Sequence, residues 1–470
     1  MKRGKELLSN TIIIAIGNFG TKIISFFLLP LYTSMLSTKE YGVYDLLITI
    51  SIFIVPFITM LMEESMFRFL IDSKDEKEKR MIISQTMLFC LINIIIFTIL
   101  YFFIGMLINI PYMLIFYLYI ISSVISSLKN ALTRGTSQIK MYATSNFLSS
   151  LIIIILNIIF IAIIKTGISG LLLSYILGNT IVSILVFFKL RLFNYISYKD
   201  IEKETMKKML NYSIPLVPNS LSWTIINLSD RIIISSVIGT SANGIYSISY
   251  KFPTLIDTIY GFFYTAWKES AAKSLKDDDS EEFYNKIYNI LKNFIWSIVI
   301  MMICTMPFVF NLFIKKEFVD AFLYIPILVI SMYFSNISGY YGGIFAAFKN
   351  TKVMGITTII AAVINVIINL LLIKNIGIWA AALSTLCATA TIYLYRKIKI
   401  KEHIKLEENG LNTFLSIISV IIACTAYYSE NIFLQVIIFL ILGIYCCVIN
   451  KETVKTFYLI FLKNKIKHTN

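Results

Sequence analysis

An all-α integral membrane fold with about fourteen transmembrane helices is predicted from three observations. The composition is 57% hydrophobic and only 15% charged, whereas soluble domains carry about 25% charged residues. Apolar runs of about twenty residues, the length that crosses a bilayer as a helix, recur along the whole chain. Such runs argue against a barrel, whose strands alternate over about ten residues. Finally, two segments echo each other at long range. Tyr41-Gly42-Val43-Tyr44 recurs as Asn243-Gly244-Ile245-Tyr246 at an offset of 202. Gly167-Ile168-Ser169-Gly170-Leu171-Leu172-Leu173-Ser174 recurs as Gly377-Ile378-Trp379-Ala380-Ala381-Ala382-Leu383-Ser384 at an offset of 210. Two echoes in one order, at nearly one offset, point to a duplicated unit.

The apolar runs place spans near 9–36, 42–71, 81–108, 112–134, 143–164, 168–190 and 210–238. Further spans follow near 244–270, 288–314, 320–347, 353–373, 376–395, 411–428 and 431–449. The first run is too long for the apolar region of a signal peptide and lacks a small-residue cleavage site, so it reads as a span. Pro30 kinks it. The last two lie close together and read as two spans or as one re-entrant pair. Six spans separate equivalent points of the repeat, so the two copies share an orientation and form a parallel repeat. The division that follows is a six-helix lobe over 1–198, a second over 199–405, and a terminal helix pair with a basic tail over 406–470. A duplicated membrane unit in one chain is a recurrent plan for a transporter.

Orientation follows from the lysines and arginines. With the amino terminus inside, 33 of the 42 basic residues fall in inner segments and 5 in outer ones. Both termini are therefore expected in the cytoplasm. The same distribution accounts for the net charge of +15: the cations are strung over every inner loop, where they meet anionic lipid. Nucleic acid is not needed to explain them. The six cysteines (90, 304, 387, 424, 446 and 447) lie in apolar segments without C-x-x-C spacing and read as small buried hydrophobes. The two histidines, His403 and His468, sit in basic polar stretches. A metal centre, a cofactor or a catalytic residue finds no support, nor does an ATPase motif.

Ionisable groups inside spans face a bundle interior or a wet cavity, and mark a functional path by default. Four basic residues fall there, Lys22, Arg68, Arg231 and Lys251, with Glu63, Glu64, Asp230 and Asp257 and, near an outer end, Asp45. Asn18, Lys22 and Ser25 share one helix face. Glu64 and Arg68 are four apart and read as an ion pair, or Arg68 snorkels to the inner surface. Asp230 and Arg231 are adjacent, so they point about 100° apart and cannot face one spot. Lys251 shares a face with Thr254 and Thr258. Asp45 reads as an interface anchor. All these charges fall in the first two spans of each repeat.

The ordered set resembles the multidrug/oligosaccharidyl-lipid/polysaccharide (MOP, MATE-like) exporter superfamily, and most nearly its bacterial polysaccharide flippases for capsule or O-antigen repeat units. The residues that carry the resemblance are Tyr41-Gly42-Val43-Tyr44, Glu63-Glu64-Ser65-Met66-Phe67-Arg68, Asp230-Arg231 followed by Gly244-Ile245-Tyr246, and Gly377-Ile378-Trp379-Ala380-Ala381. It covers nearly the whole chain. The resemblance implies two lobes around a central cavity and alternating access of an undecaprenyl-diphosphate-linked oligosaccharide. It implies Lys22, Arg68, Arg231 and Lys251 as the cations for the diphosphate. Glu64, Asp230 and Asp257 are then coupling or counter-charge candidates. The expected partners are the lipid-linked glycan, membrane lipid and a glycan polymerase or ligase, around a monomeric transport unit in the bacterial cytoplasmic membrane. Two alternatives share the architecture. One is a cation-coupled multidrug antiporter that would use Asp257 or Glu64. The other is a flippase for lipid II.

Overall fold

The computed structural model describes residues 26–196, 201–275, 279–348, 350–429 and 431–451. Among them are seventeen α-helices and no strand. In chain order they are α1 (Leu29–Met35), α2 (Thr38–Thr59), α3 (Met62–Asp72), α4 (Glu76–Leu107), α5 (Met113–Gly135) and α6 (Ile139–Asn157). They continue with α7 (Ile168–Lys189), α8 (Lys203–Ser213), α9 (Leu216–Val237), α10 (Thr240–Lys251), α11 (Pro253–Ser274) and α12 (Ser280–Phe313). The last five are α13 (Ala321–Ala347), α14 (Thr351–Ile376), α15 (Ile378–Ile400), α16 (Gly410–Tyr428) and α17 (Ile432–Ile449). Eleven membrane-length helices are long and apolar enough to cross a bilayer among the described residues, and α16 and α17 are both among them.

Three expected spans are not in that set. Most of 9–36 lies outside the described residues, where only α1 represents it. The stretch 210–238 is divided between α8 and α9, with Pro215 at the join. The stretch 244–270 is divided between α10 and α11 at Pro253. Proline has no amide hydrogen for the ladder, which explains both joins. The stretch 42–71 also breaks, and here no proline or glycine marks the place. Met60 (φ 48°) and Leu61 (φ 52°) both take the left-handed conformation between α2 and α3. Each costs roughly 1–2 kcal/mol for an L residue with a side chain. The Asn93 side-chain amide donates to the Ile58 carbonyl at 2.9 Å and Leu61 N–H donates to the Thr59 hydroxyl at 3.2 Å, so the open ends are satisfied locally.

Other helix ends carry ordinary signals. Ser37 and Glu40 form a capping box at the start of α2, Glu40 N–H donating to Ser37 Oγ at 3.2 Å and Ser37 N–H to Glu40 Oε2 at 2.9 Å. Asp75 Oδ1 accepts from Glu78 N–H at 2.7 Å at the start of α4. Gly167 (φ 61°, ψ −136°) and Gly377 (φ 59°, ψ −135°) precede α7 and α15 with matching dihedrals. That region is open essentially to glycine alone. The second sequence echo is thus one backbone turn used twice.

The chain forms two compact units, Met1–Gly244 and Ile245–Asn470. In the first, α3 packs on α4, α5 and α8, α2 on α5 and α9, and α6 and α5 on α7. In the second, α15 packs on α13 and α14, α13 on α11 and α12, and α12 on α16 and α17. This is a division by packing, different in kind from the repeat boundary read near residue 198. Apolar side chains cover the outside as well: Ile99 is 65% and Met106 84% exposed. Lipid is the environment in which that surface carries no penalty. Cys90, Cys304 and Cys446 are buried as expected, whereas Cys447 is exposed on α17.

Candidate functional site

In the first unit the charged groups separate by depth. Arg231 on α9 is buried and bonds Asp45 on α2, Nε to Oδ2 at 2.7 Å, with both side chains 10% exposed. Its Nη1 also donates to the Asn227 carbonyl at 3.0 Å. Asp45 is therefore a buried partner of Arg231 and not an interface anchor. Asp230 is buried beside it on the neighbouring face of α9. A pair this deep has lost most of its hydration, and removal of one member leaves an uncompensated charge at a cost of about 3–5 kcal/mol.

Arg68 and Glu64 do not pair with each other. Arg68 is exposed and bonds Asp72 one turn on, Nη1 to Oδ2 at 2.7 Å. Glu64 is instead 3.9 Å from Arg134 of α5, whose guanidinium lies over the Phe67 ring at 4.0 Å. The expected i, i+4 pair is not made although α3 is continuous through both residues, because each has taken another partner, Asp72 for Arg68 and Arg134 for Glu64. Lys22 lies outside the described residues.

In the second unit Lys251 ends α10 and Asp257 lies on α11, both half-buried. Thr254 Oγ1 donates to the Lys251 carbonyl at 2.7 Å and Thr258 Oγ1 to the Thr254 carbonyl at 2.9 Å. These two hydroxyls are thus engaged by the backbone around Pro253.

Three cations that sequence reasoning counted in the inner segments are buried in the helix packing. Lys129 (0% exposed) on α5 donates to Asn146 Oδ1 of α6 at 3.0 Å. Arg396 (1% exposed) on α15 donates from Nε to Thr357 Oγ1 at 3.1 Å, from Nη1 to the Ser338 carbonyl at 2.9 Å, and from Nη2 to the Met354 carbonyl at 3.3 Å. Gly342 leaves room for it: a Cβ there would stand 3.2 Å from Nη1. Lys292 on α12 is buried and donates to Thr413 Oγ1 of α16 at 2.9 Å. The polar run Ser122, Ser123, Ser126, Ser127, Lys129, Asn130 on α5 is the one signal in the sequence that could have placed Lys129 inside.

At the end of α15, Glu408 receives Lys397 Nζ at 2.7 Å and the Tyr288 hydroxyl at 2.6 Å. Burial pushes this carboxyl up, but the two hydrogen bonds outweigh it and hold it below the usual carboxylate range. Around it the 401–409 connection is strapped to α12. Glu407 N–H donates to Asn285 Oδ1 at 2.6 Å, and Asn285 Nδ2 donates to the Lys405 carbonyl at 2.9 Å. Among the described residues no group of three metal-ligating side chains gathers.

Over 427 residues the chain is 25% identical to "Uncharacterized membrane protein MJ1375" of Methanocaldococcus jannaschii, covering 85% of this chain and 100% of that one. Its fold is similar to that of the lipid II flippase MurJ in an inward closed conformation, with a TM-score of 0.72 and 18% identity, over 94% of this chain and 100% of that one. It is also similar to an inward-facing multidrug resistance MATE family transporter of the MOP superfamily, with a TM-score of 0.67 and 14% identity, over 83% and 98% of the two chains. At such identities the likeness is one of fold. A family model described as "Polysaccharide biosynthesis protein" matches residues 7–268, more than half of the sequence, and the chain belongs to that family.

Proposed function

We propose that this chain is a flippase that moves an undecaprenyl-diphosphate-linked oligosaccharide from the inner to the outer leaflet of the bacterial cytoplasmic membrane by alternating access. The observation that carries this reading is the coincidence of a polysaccharide-biosynthesis family with the fold of a lipid flippase across 94% of the chain. Fourteen spans with both termini inside, lobes over 1–198 and 199–405 and a terminal pair over 406–470 belong to the same reading. Lys22, Arg68, Arg231 and Lys251 are the proposed cations for the diphosphate, since arginine and lysine match phosphate oxygens. Asp45 holds Arg231 oriented and exchanges it for the substrate. Glu64, Asp230 and Asp257 are the proposed coupling groups or counter-charges. Two negative charges moving outward across an inside-negative membrane gain about 4.6 kcal/mol per 100 mV, at roughly 2.3 per charge. The potential is therefore one candidate driving force.

The test is complementation of a strain lacking the gene. Lys22→Ala with Arg231→Ala, at retained expression, is expected to abolish surface glycan while the lipid-linked precursor accumulates inside. Full export would sink the role of these cations. Lipid II is a second reading, favoured by the likeness to MurJ. It predicts loss of viability on deletion where no second lipid II flippase exists. A drug antiporter, suggested by the likeness to a MATE transporter, predicts drug sensitivity with surface glycan intact.

A further inference from the structure

An apolar groove lies in the first unit, away from the charged groups of the candidate site. Its volume is about 270 Å³, and its lining residues Leu91 and Ile196 are 50% and 41% exposed, so it opens to the outside. α4 contributes Met87, Leu91 and Ile94, α5 contributes Leu128 and α7 contributes Phe187. Ile196 and Ile201, from the connection between α7 and α8, complete it. That connection is pinned to α4. Ser84 Oγ donates to the Tyr195 carbonyl at 2.6 Å, Gln85 Nε2 to the Glu202 carbonyl at 2.9 Å, and the Tyr195 hydroxyl to Glu76 Oε2 at 3.0 Å.

Chemistry, depth and charge together define the occupant. Ser84 carries the one hydroxyl in the lining, and that hydroxyl is spent on the Tyr195 carbonyl. The groove therefore offers apolar surface, which an apolar guest covers and a void leaves without contacts. From Ser84 to Ile94 the groove follows α4 for ten residues, about 15 Å at 1.5 Å per residue. That is half of a hydrocarbon core of about 30 Å, the depth of one leaflet. Lys77, Arg80, Ser84, Met87, Leu91 and Ile94 follow one another in alternating steps of three and four, so they share one face of α4. Two exposed cations thus stand on the groove's own face, just beyond its Ser84 end. Neither is in an ion pair among the described residues, whereas their neighbour Lys79 is held by Glu76 at 2.7 Å. Arg80 is also within electrostatic reach of Tyr195, the residue before Ile196.

We propose that this groove is a binding site for an anionic phospholipid, with one acyl chain along Met87, Leu91 and Ile94 and the phosphate on Lys77 and Arg80. Lysine and arginine match phosphate oxygens, and the lipid belongs to the leaflet that meets the start of α4. A chain of undecaprenyl length is far longer than one leaflet is deep and fits this groove less well. With the acyl chain in place Ile196 and Ile201 gain apolar contacts, so the lipid braces the α7–α8 connection against α4. The site stands independently of the transport reading.

The test is native mass spectrometry of the purified full chain with phosphatidylglycerol and, separately, with phosphatidylcholine of the same acyl chains. One tightly held phosphatidylglycerol per chain is expected, with phosphatidylcholine held more weakly. Lys77→Gln with Arg80→Gln should weaken phosphatidylglycerol binding roughly thirtyfold and leave phosphatidylcholine unchanged. Met87→Trp, which fills the groove, should weaken both. Equal binding of the two lipids by the parent chain, or unchanged phosphatidylglycerol binding in the variants, overturns the proposal. A phosphatidylglycerol carrying a diazirine in its acyl chain provides a second measurement that needs no variant. Its label should concentrate on α4 between Ser84 and Ile94 and on α7 near Phe187. Label spread evenly over the membrane-length helices would be an ordinary lipid shell and would sink the site. Undecaprenyl phosphate that displaces the label at equal concentration would make the groove a polyprenyl site and overturn the phospholipid assignment.

Discussion

Gly42 and Gly244, matching positions of the first sequence echo, lie against each other at the start of α2 and α10. A Cβ on Gly42 would stand 1.8 Å from the Thr240 carbonyl oxygen and 2.8 Å from Gly244 N. A Cβ on Gly244 would stand 2.0 Å from the Thr38 carbonyl oxygen and 3.2 Å from Gly42 N. Thr38 and Thr240 share the offset of 202, so the contact is reciprocal. Asn243 Nδ2 adds a hydrogen bond to the Gly42 carbonyl at 2.8 Å. The first sequence echo is therefore a helix contact in which each copy supplies the glycine that the other needs.

Alanine at either glycine should destabilise the protein. Overpacking typically costs about 1–3 kcal/mol, and the obstructing atoms here are backbone, so the upper end is expected for Gly42→Ala and Gly244→Ala alike. Both changes force the same two helices apart. The double variant should therefore cost clearly less than the sum of the singles. Thermal unfolding in detergent measures all three, and additive losses would show that the helices do not share one contact.

The Arg231–Asp45 pair makes a different prediction. Arg231→Ala or Asp45→Ala alone should lose about 3–5 kcal/mol, because each leaves a buried charge without its partner. Asp45→Asn with Arg231→Gln removes both charges and should recover much of that stability. If Arg231 also meets the substrate diphosphate, the stable double variant should still fail in glycan export. Recovery of both stability and export would make Arg231 purely structural.

These contacts show where the sequence was legible. The apolar stretch read at 320–347 is α13, Ala321–Ala347, because twenty apolar residues in lipid have little choice but helix. Gly167 and Gly377 were legible as a repeat because only glycine tolerates their turn. The Met60–Leu61 break was not, since neither residue type carries a turn signal and the conformation is imposed by tertiary contacts. Arg68 and Glu64 share one continuous helix, but helical spacing did not reveal their competing partners, Asp72 one turn on and Arg134 of α5. The burial of Lys129 and Arg396 was not legible for another reason. Counting cations near the inner ends of spans cannot tell a side chain in the headgroups from one turned toward Asn146 or Thr357.

Acidification should loosen the 401–409 strap. Glu408 is held below the usual carboxylate range, so its contribution is complete above its unfolded value of about 4.3. It is lost as the pH falls through the lower folded value. The Glu407 amide is a clean reporter, because its acceptor, Asn285 Oδ1, does not titrate. Its hydrogen-exchange protection should hold at neutral pH and fall in acid below about pH 4. Glu408→Gln should show reduced protection already at neutral pH, with a weaker dependence on acid.

Arg396 should reveal what a buried guanidinium contributes when its acceptors are neutral. It joins α15 to Ser338 on α13 and to Met354 and Thr357 on α14. Lysine would keep the charge and lose the planar fork that reaches three acceptors at once. With charged hydrogen bonds worth about 1.5–3 kcal/mol each, Arg396→Lys should lose about 3 kcal/mol. Methionine removes the charge at similar length. The acceptors it abandons are already partly served, since Thr357 Oγ1 and Thr358 Oγ1 each donate to the Met354 carbonyl at 3.0 and 2.9 Å. Arg396→Met should therefore be more stable than Arg396→Lys, within about 1 kcal/mol of the parent, as apolar replacements of buried charges often are. Chemical or thermal unfolding of the two variants decides the order. The reverse order would mean that the positive charge itself stabilises the helix junction.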